Sequence, residues 1–365
     1  HTYNSGTVDD YIAEKYEKEA PEHFESLKKQ DNQYMMNVDE NNTCPNFKDG
    51  LCQVQLKYGI QYQPEICHFY PKTFRKINDQ IYATTELPCY PMVKTGLMCE
   101  DPFEWEEVEL PRVPVQMMNI ATDYYNSGPT EKLSNLFSVC LSYVDEDHED
   151  PEDPFNVEER LMRLIILSEI LDKVHRHDWA NFINIAVKMN TREKLESFWS
   201  EATELHSEES TEDVYNFLHA VLAVTKATRR DRFTKLVDTL MEYINENGME
   251  QAFENWGDLT KDETLNVIME RYVKMKLATT LFPLHGWGDL VDDMLFVVIN
   301  YILIKLSLII KKEELKDYTD IDAIAEIIFT VEHAFYVNKT ETYNHFQELG
   351  WTNPKKIAFL LNCLL

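Results

Sequence analysis

From Val115 onward, apolar side chains recur every three or four residues, the spacing that lines one face of an α-helix. Prolines, glycines and charged clusters divide the pattern into segments near Val115–Tyr125, Thr130–Tyr143, Val157–Lys188, Thr191–Leu205, Thr211–Asn247, Lys261–Leu281, Asp289–Lys312, Ile321–Phe346 and Asn353–Leu364. The stretch Val8–Gln30 sets Tyr11, Ile12, Tyr16, Phe24 and Leu27 among Lys and Glu, which predicts one or two amphipathic helices broken near Pro21. From Thr43 to Glu100 the helical period is lost, and turn residues such as Asp49-Gly50 alternate with short apolar runs. The pattern predicts a mainly α protein. Residues 1–100 would form N-terminal helices and a small, loop-rich cysteine module, and residues 101–365 a multi-helix domain.

The punctuation supports this division. Glu100–Pro114 is acidic and holds three prolines, so it reads as a connector that cannot be one helix. The block at 145–154, seven of its ten residues Asp or Glu, repels itself and reads as an extended, solvated acidic loop. Met294–Ile310 is the most apolar stretch, but Asn300 and Lys305 interrupt it. It falls short of the roughly 20 apolar residues a bilayer span requires, so a buried core helix is expected. His285-Gly286-Trp287-Gly288-Asp289 reads as a helix stop and restart, with Asp289 as an N-cap. The basic cluster Lys226, Arg229, Arg230, Arg232 and Lys235 reads as a solvated helix face, and Glu332-His333, Tyr343 and His345 as structural groups on helices.

Composition narrows the function classes. With 64 acidic against 35 basic residues the formal charge is -29, so the surface repels nucleic-acid phosphate and anionic lipid and attracts basic, lysine-bearing partners. Only 10 glycines in 365 residues favour a helical bundle over an all-β or βαβ architecture. No glycine-rich turn of the kind that cradles a nucleotide follows a strand-like run. The chain opens at His1 without a charged, apolar leader, which we read as truncation.

Five of the seven cysteines fall between Cys44 and Cys99, while Cys140 and Cys363 sit alone in apolar helical patterns. The spacing is Cys44-x7-Cys52-x14-Cys67-x21-Cys89, and Asp49-Gly50 suits a tight turn that returns Cys52 toward Cys44. Four convergent thiolates fit either tetrahedral zinc or an iron–sulfur cluster, and spacing does not choose between them. Buried thiols or disulfides are the plainer alternatives. Cys99 competes with Cys89 for the fourth position.

The text CPNFKDGLCQVQLKYG from Cys44, ICHFYPKTF from Ile66 and ELPC ending at Cys89 resembles, in order and spacing, the flagellin lysine N-methylase family of bacteria. Two positions depart from that family's pattern. Lys72 stands where an Arg is usual, and Tyr90-Pro91 follows Cys89 where a Pro-Glu pair is usual. ERYVKMKLATTLFP from Glu270 and the closing TYNHFQELGWTNPKKIAFLLNCLL are similar to the family's last helical regions. Members usually open with a further segment of the form C-x-G-x-x-C-x-x-x-CC, which we expect to have been cut away here.

The resemblance implies methyl transfer from S-adenosylmethionine to the ε-amine of lysines in flagellin or a similar surface protein. It also implies a 4Fe-4S cluster on Cys44, Cys52, Cys67 and Cys89, and a bacterial cytoplasmic location. Lysine must lose a proton before it attacks, and its reference pKa of about 10.4 leaves little free amine at neutral pH. His68 and Tyr70, beside Cys67, are the candidate bases. The competing readings are a non-catalytic helical binding scaffold held together by zinc, and a secreted, disulfide-linked interaction protein.

Overall fold

The computed structural model describes residues 7–40, 43–77, 80–99, 106–109, 118–119, 138–144, 156–173, 179–189, 231–248, 262–283, 289–312, 314–315 and 318–337, with isolated positions elsewhere. The acidic block at 145–154, Lys226 to Arg230, the His285–Gly288 stretch, Tyr343, His345, Cys363 and the segments near 115–125 and 191–205 lie outside the described residues, single positions apart. The chain divides into two compact units: His1–Arg75 with Val108–Met118, and Lys76–Glu107 with Asn119–Leu365.

In the first unit, β1 (Thr7–Val8) leads into α1 (Asp10–Glu19) and α2 (Pro21–Phe24). The Asp9 side chain caps α1 by accepting from Ile12 N at 3.2 Å, and Ile12, Ala13 and Tyr16 form its buried stripe. Pro21 cannot continue α1 but suits the first position of α2, so the break falls where the sequence predicts.

Beyond Phe24 the helical expectation fails. Leu27–Gln30 is a strand, β2, paired antiparallel with β3 (Gln33–Met36) from Leu27↔Met36 to Gln30↔Gln33. Asp31 and Asn32 turn the hairpin with φ of 49° and 66°, left-handed values that Asp and Asn tolerate better than most side chains. The hairpin is stabilised by β1, which pairs with β3, and by α1 beneath it, partners that no local period encodes. Then come β4 (Phe47–Lys48), β5 (Leu51–Cys52), α3 (Gln53–Tyr58), a 3-10 turn (Ile60–Tyr62), α4 (Glu65–Phe69) and β6 (Lys72–Ile77). Val8, Ile12, Ala13, Tyr16, Ala20, Met36 and Val54 make up the small core.

The described part of the second unit is mainly helical and opens with the strand β7 (Gln80–Thr85). Its helices are α5 (Tyr90–Met98), α6 (Val157–Lys173), α7 (Trp179–Met189), α8 (Asp231–Asn247), α9 (Glu263–Thr280), α10 (Leu290–Ile310) and α11 (Ile321–Val337). The span expected as one helix over Val157–Lys188 is two. α10 is the hub, packed by α6, α8, α9 and α11. Among the described residues it is the one helix long and apolar enough to cross a membrane, which corrects the expectation that its apolar stretch falls short. Nearly every side chain on it is nonetheless buried within the unit, as a core helix requires. Asp289 occupies its N-cap position, but the carboxylate that accepts Leu290 N (3.0 Å) and Val291 N (3.3 Å) belongs to Asp172 at the end of α6.

Polar groups are threaded through this core in hydrogen-bonded pairs. Asn300 donates to Glu332 Oε1 at 3.1 Å, joined there by the Tyr272 hydroxyl at 2.6 Å, while Lys276 reaches Oε2 at 2.7 Å. Lys305 and the Tyr301 hydroxyl both donate to Glu158 Oε1. Arg160 and Lys274 share Glu270 at 2.7 and 2.8 Å. Glu332 is thus the structural group its sequence context predicts, and His333 stacks on Phe329.

Candidate metal centre

Asp49 and Gly50 take φ of 51° and 78°, the two positive values of a type I′ turn, and the turn pairs Phe47 with Cys52. Phe47 N donates to Cys44 O at 2.9 Å and Gln53 N to Asn46 O at 2.8 Å, so Cys44 and Cys52 stand at the two ends of one short hairpin. The turn therefore does what its sequence implies. Cys67 arrives on α4, which Pro64 starts. Glu65 N donates to Asp9 Oδ2 at 2.9 Å, so the carboxylate that caps α1 also anchors the Cys67 turn to the start of that helix.

These three thiols share a neighbourhood. Cys44 and Cys67 line one recess with Thr7, Val8, Met36, Pro64 and Ile66, and Cys44 and Cys52 both pack on the small core. Tyr16 belongs to that core, is 0% exposed, and its hydroxyl has no hydrogen-bond partner among the described residues. Burial pushes the phenol well above its usual pKa, and Cys67, Cys52 and Cys44, in that order, add to the push because thiolates there oppose a phenolate. Burial, with a smaller push from Cys52, also raises the Cys44 thiol, while the Asn46 and Phe47 amides pull it back. A thiol raised in this way ionises readily only against a compensating positive charge, such as a metal ion supplies.

A polar group that the sequence reading did not single out closes the inner side. His23 Nδ1 lies 2.8 Å from Asn46 Oδ1, and Asn46 Nδ2 donates to Ser26 Oγ at 3.2 Å. The His23 ring sits 5.8 Å from that of Tyr16, and its Nε2 is buried without a partner. The signal was weak but present: Asn46 belongs to the Cys-Pro-Asn opening of the motif, and a buried Asn needs a polar partner.

The candidate bases stand differently. His68 Nδ1 faces the Ile60 carbonyl at 3.1 Å and its ring meets Phe69 edge-on, while Tyr70 is about half exposed at 48%. Cys89 belongs to the second unit, where it is the N-cap residue of α5, and Cys99 is the C-cap of the same helix. Cys140 is buried in the helical core, and burial alone pushes its thiol far up, the behaviour of an inert packing cysteine. None of Cys44, Cys52, Cys67, Cys89, Cys99 and Cys140 is in a disulfide.

Among the described residues no three His, Cys, Asp or Glu side chains are grouped to hold a metal ion. Four thiolates about 2.3 Å from a single tetrahedral zinc would stand only about 3.8 Å apart. Cys44, Cys52 and Cys67 are soft donors of the kind that either zinc or an iron–sulfur cluster selects.

Over residues 152–360, more than half of the chain, the sequence matches the family described as FliB lysine N-methylase C-terminal domain. The chain belongs to the FliB lysine N-methylase family. No curated protein matches, and no solved structure does either. The FliB match covers α6 through α11 and so includes the buried ion pairs around α10. The cysteines of the first unit precede it.

Proposed function

We propose that this protein transfers a methyl group from S-adenosylmethionine to the ε-amine of lysines in flagellin or a similar surface protein. In this reading Cys44, Cys52 and Cys67 hold an iron–sulfur cluster. Membership of a lysine N-methylase family carries the proposal. The resemblance assigns Cys89 to the same ligand set, and iron content in a Cys89→Ser variant tests that assignment. The reaction needs the lysine ammonium to give up a proton. The free amine then forms an N–C bond to the methyl carbon as the S–C bond breaks, and the bonding pair leaves on the donor's sulfur. A cluster held by these cysteines would supply a Lewis-acidic iron able to bind the donor's amino and carboxylate groups. The chain's own contribution to substrate capture is its charge of -29, which draws a lysine-rich surface toward it. A cytoplasmic location suits the reading, because that compartment keeps the thiols reduced.

The test uses the full chain purified anaerobically, incubated with methyl-labelled donor and flagellin. Label on flagellin lysines is the expected result, and no transfer from a cluster-loaded preparation refutes the proposal. Colourless protein with stoichiometric zinc and no transfer would instead describe a zinc-stabilised scaffold.

A further inference from the structure

One face of the first unit already holds ammonium groups on tyrosine rings. Lys15, on α1, places Nζ 3.9 Å from the ring centroid of Tyr62 in the 3-10 turn and 5.7 Å from that of Tyr11 on α1. Both distances fall inside the roughly 6 Å reach of a cation–π contact. The Gln61 carbonyl accepts from the same Nζ at 3.5 Å. Beside it the pattern repeats. The Lys57 ammonium stands 5.0 Å from the Tyr58 centroid and pairs with Glu22, and the Tyr58 and Tyr62 rings lie 5.2 Å apart. The Tyr62 hydroxyl donates to Glu19, and the Tyr58 hydroxyl to Glu22 at 2.6 Å. Each carboxylate therefore enriches the ring it holds, which strengthens that ring's attraction for a cation.

This face is open to solvent. Tyr11 is 63% exposed, Glu19 and Glu22 are exposed, and Lys15, Tyr58 and Tyr62 are partly so. It is also acidic, since Asp9 to Glu25 holds seven Asp or Glu against two Lys. Electron-rich rings among carboxylates complement a basic side chain, and the side chain they hold here is lysine. Exposed cation–π contacts are individually weak, so an ammonium brought by another protein can take the place of Lys15. We propose that Tyr11, Tyr58 and Tyr62, with Glu19 and Glu22, form a docking surface for lysine side chains of the protein substrate, and that Lys15 occupies this surface in the free protein. This rests on the lysine N-methylase reading above and names the part of the chain that recruits the substrate.

The experiment titrates flagellin into the full chain without methyl donor and reads affinity by calorimetry, so binding is scored apart from catalysis. Wild-type protein is expected to bind flagellin and to lose most of that affinity when the flagellin lysines are acetylated, which removes their charge. Tyr11→Leu/Tyr62→Leu, checked for folding by thermal melting, is expected to weaken binding about tenfold. Lys15→Met is expected to tighten binding. Lys18→Met takes the same charge from α1, but its ammonium lies against Glu14 at 3.7 Å, so its effect should be clearly smaller. These two variants leave the tyrosines in place and keep the test decisive if the double variant folds poorly. Equal effects of Lys15→Met and Lys18→Met reduce the attraction to net charge and overturn the tyrosine site. Binding that survives acetylation, or a folded double variant that binds like wild type, overturns it as well. Each of these results leaves methyl transfer standing, as does wild-type protein that labels flagellin in the assay above without measurable affinity in the titration. Absence of both binding and transfer overturns both readings.

Discussion

Substituting Lys305 by Met removes one charge from the least accessible ion pair of the second unit. Lys305 and Glu158 have side chains 0% and 2% exposed, and Glu158 otherwise accepts only from the Tyr301 hydroxyl at 2.6 Å, its second oxygen having no partner. Burial alone would pull the Lys305 ammonium down to about 7. The carboxylate directly against it works in the opposite direction, and we take the charged pair as the state at neutral pH. Breaking such a pair from one side strands a carboxylate in the core, which costs about 3–5 kcal/mol. That is a large share of the roughly 5–15 kcal/mol that holds a typical domain together. Urea denaturation of Lys305→Met at pH 7 should show the loss. In the variant the stranded Glu158 should have a raised pKa. The folded state then binds the proton more readily than the unfolded one, so the deficit shrinks as the pH falls toward 5. The double variant Glu158→Leu/Lys305→Met should recover most of the stability, because a matched apolar pair carries no desolvation cost. A single-variant loss below about 1 kcal/mol, or one that does not change with pH, refutes the view that this pair is charged and desolvated.

Two further outcomes follow from local geometry. Gly50 holds φ of 78° with open space where a Cβ would project, so Gly50→Ala strains only the backbone. It should cost about 1–2 kcal/mol and lower iron retention by loosening the Cys44–Cys52 hairpin, whereas normal stability and loading would show the turn to be unimportant. Asp172→Ala strips the carboxylate that caps α10 and should destabilise the fold by about 0.5–2 kcal/mol in chemical denaturation, with no effect on iron content.

Much of the helical unit was legible because its helices are long and their apolar faces recur with the helical period. The spans at Lys261–Leu281 and Asp289–Lys312 differ from the observed helices by only a residue or two at each end. The first unit was harder. Leu27–Gln30 continues the apolar spacing of α1 and α2 yet becomes a strand, because it pairs with β3 across the Asp31–Asn32 turn and β3 is in turn held by β1, from the start of the chain segment. At the site, the Asp49-Gly50 turn and the Cys44–Cys52 pairing were readable from the turn chemistry alone. His23 and the orphaned hydroxyl of Tyr16 were not, since a Tyr or His on an amphipathic helix gives no sign of what it will face.

The sequence by itself determined the helical class, the hairpin that joins two cysteines and, through the motif around them, the lysine N-methylase family. These rest on short-range rules of period, turn preference and spacing. Tertiary structure alone decided that the Cys67 turn is anchored to the start of α1 through the Asp9–Glu65 contact, that the Tyr16 hydroxyl is buried in the small core, and that Asn300 and Lys305 meet Glu332 and Glu158 inside the helical core. Each of those depends on a partner dozens of residues away. Burial is what makes the meeting matter, because only out of water does an unpaired hydroxyl, thiol or ammonium carry a large free-energy penalty.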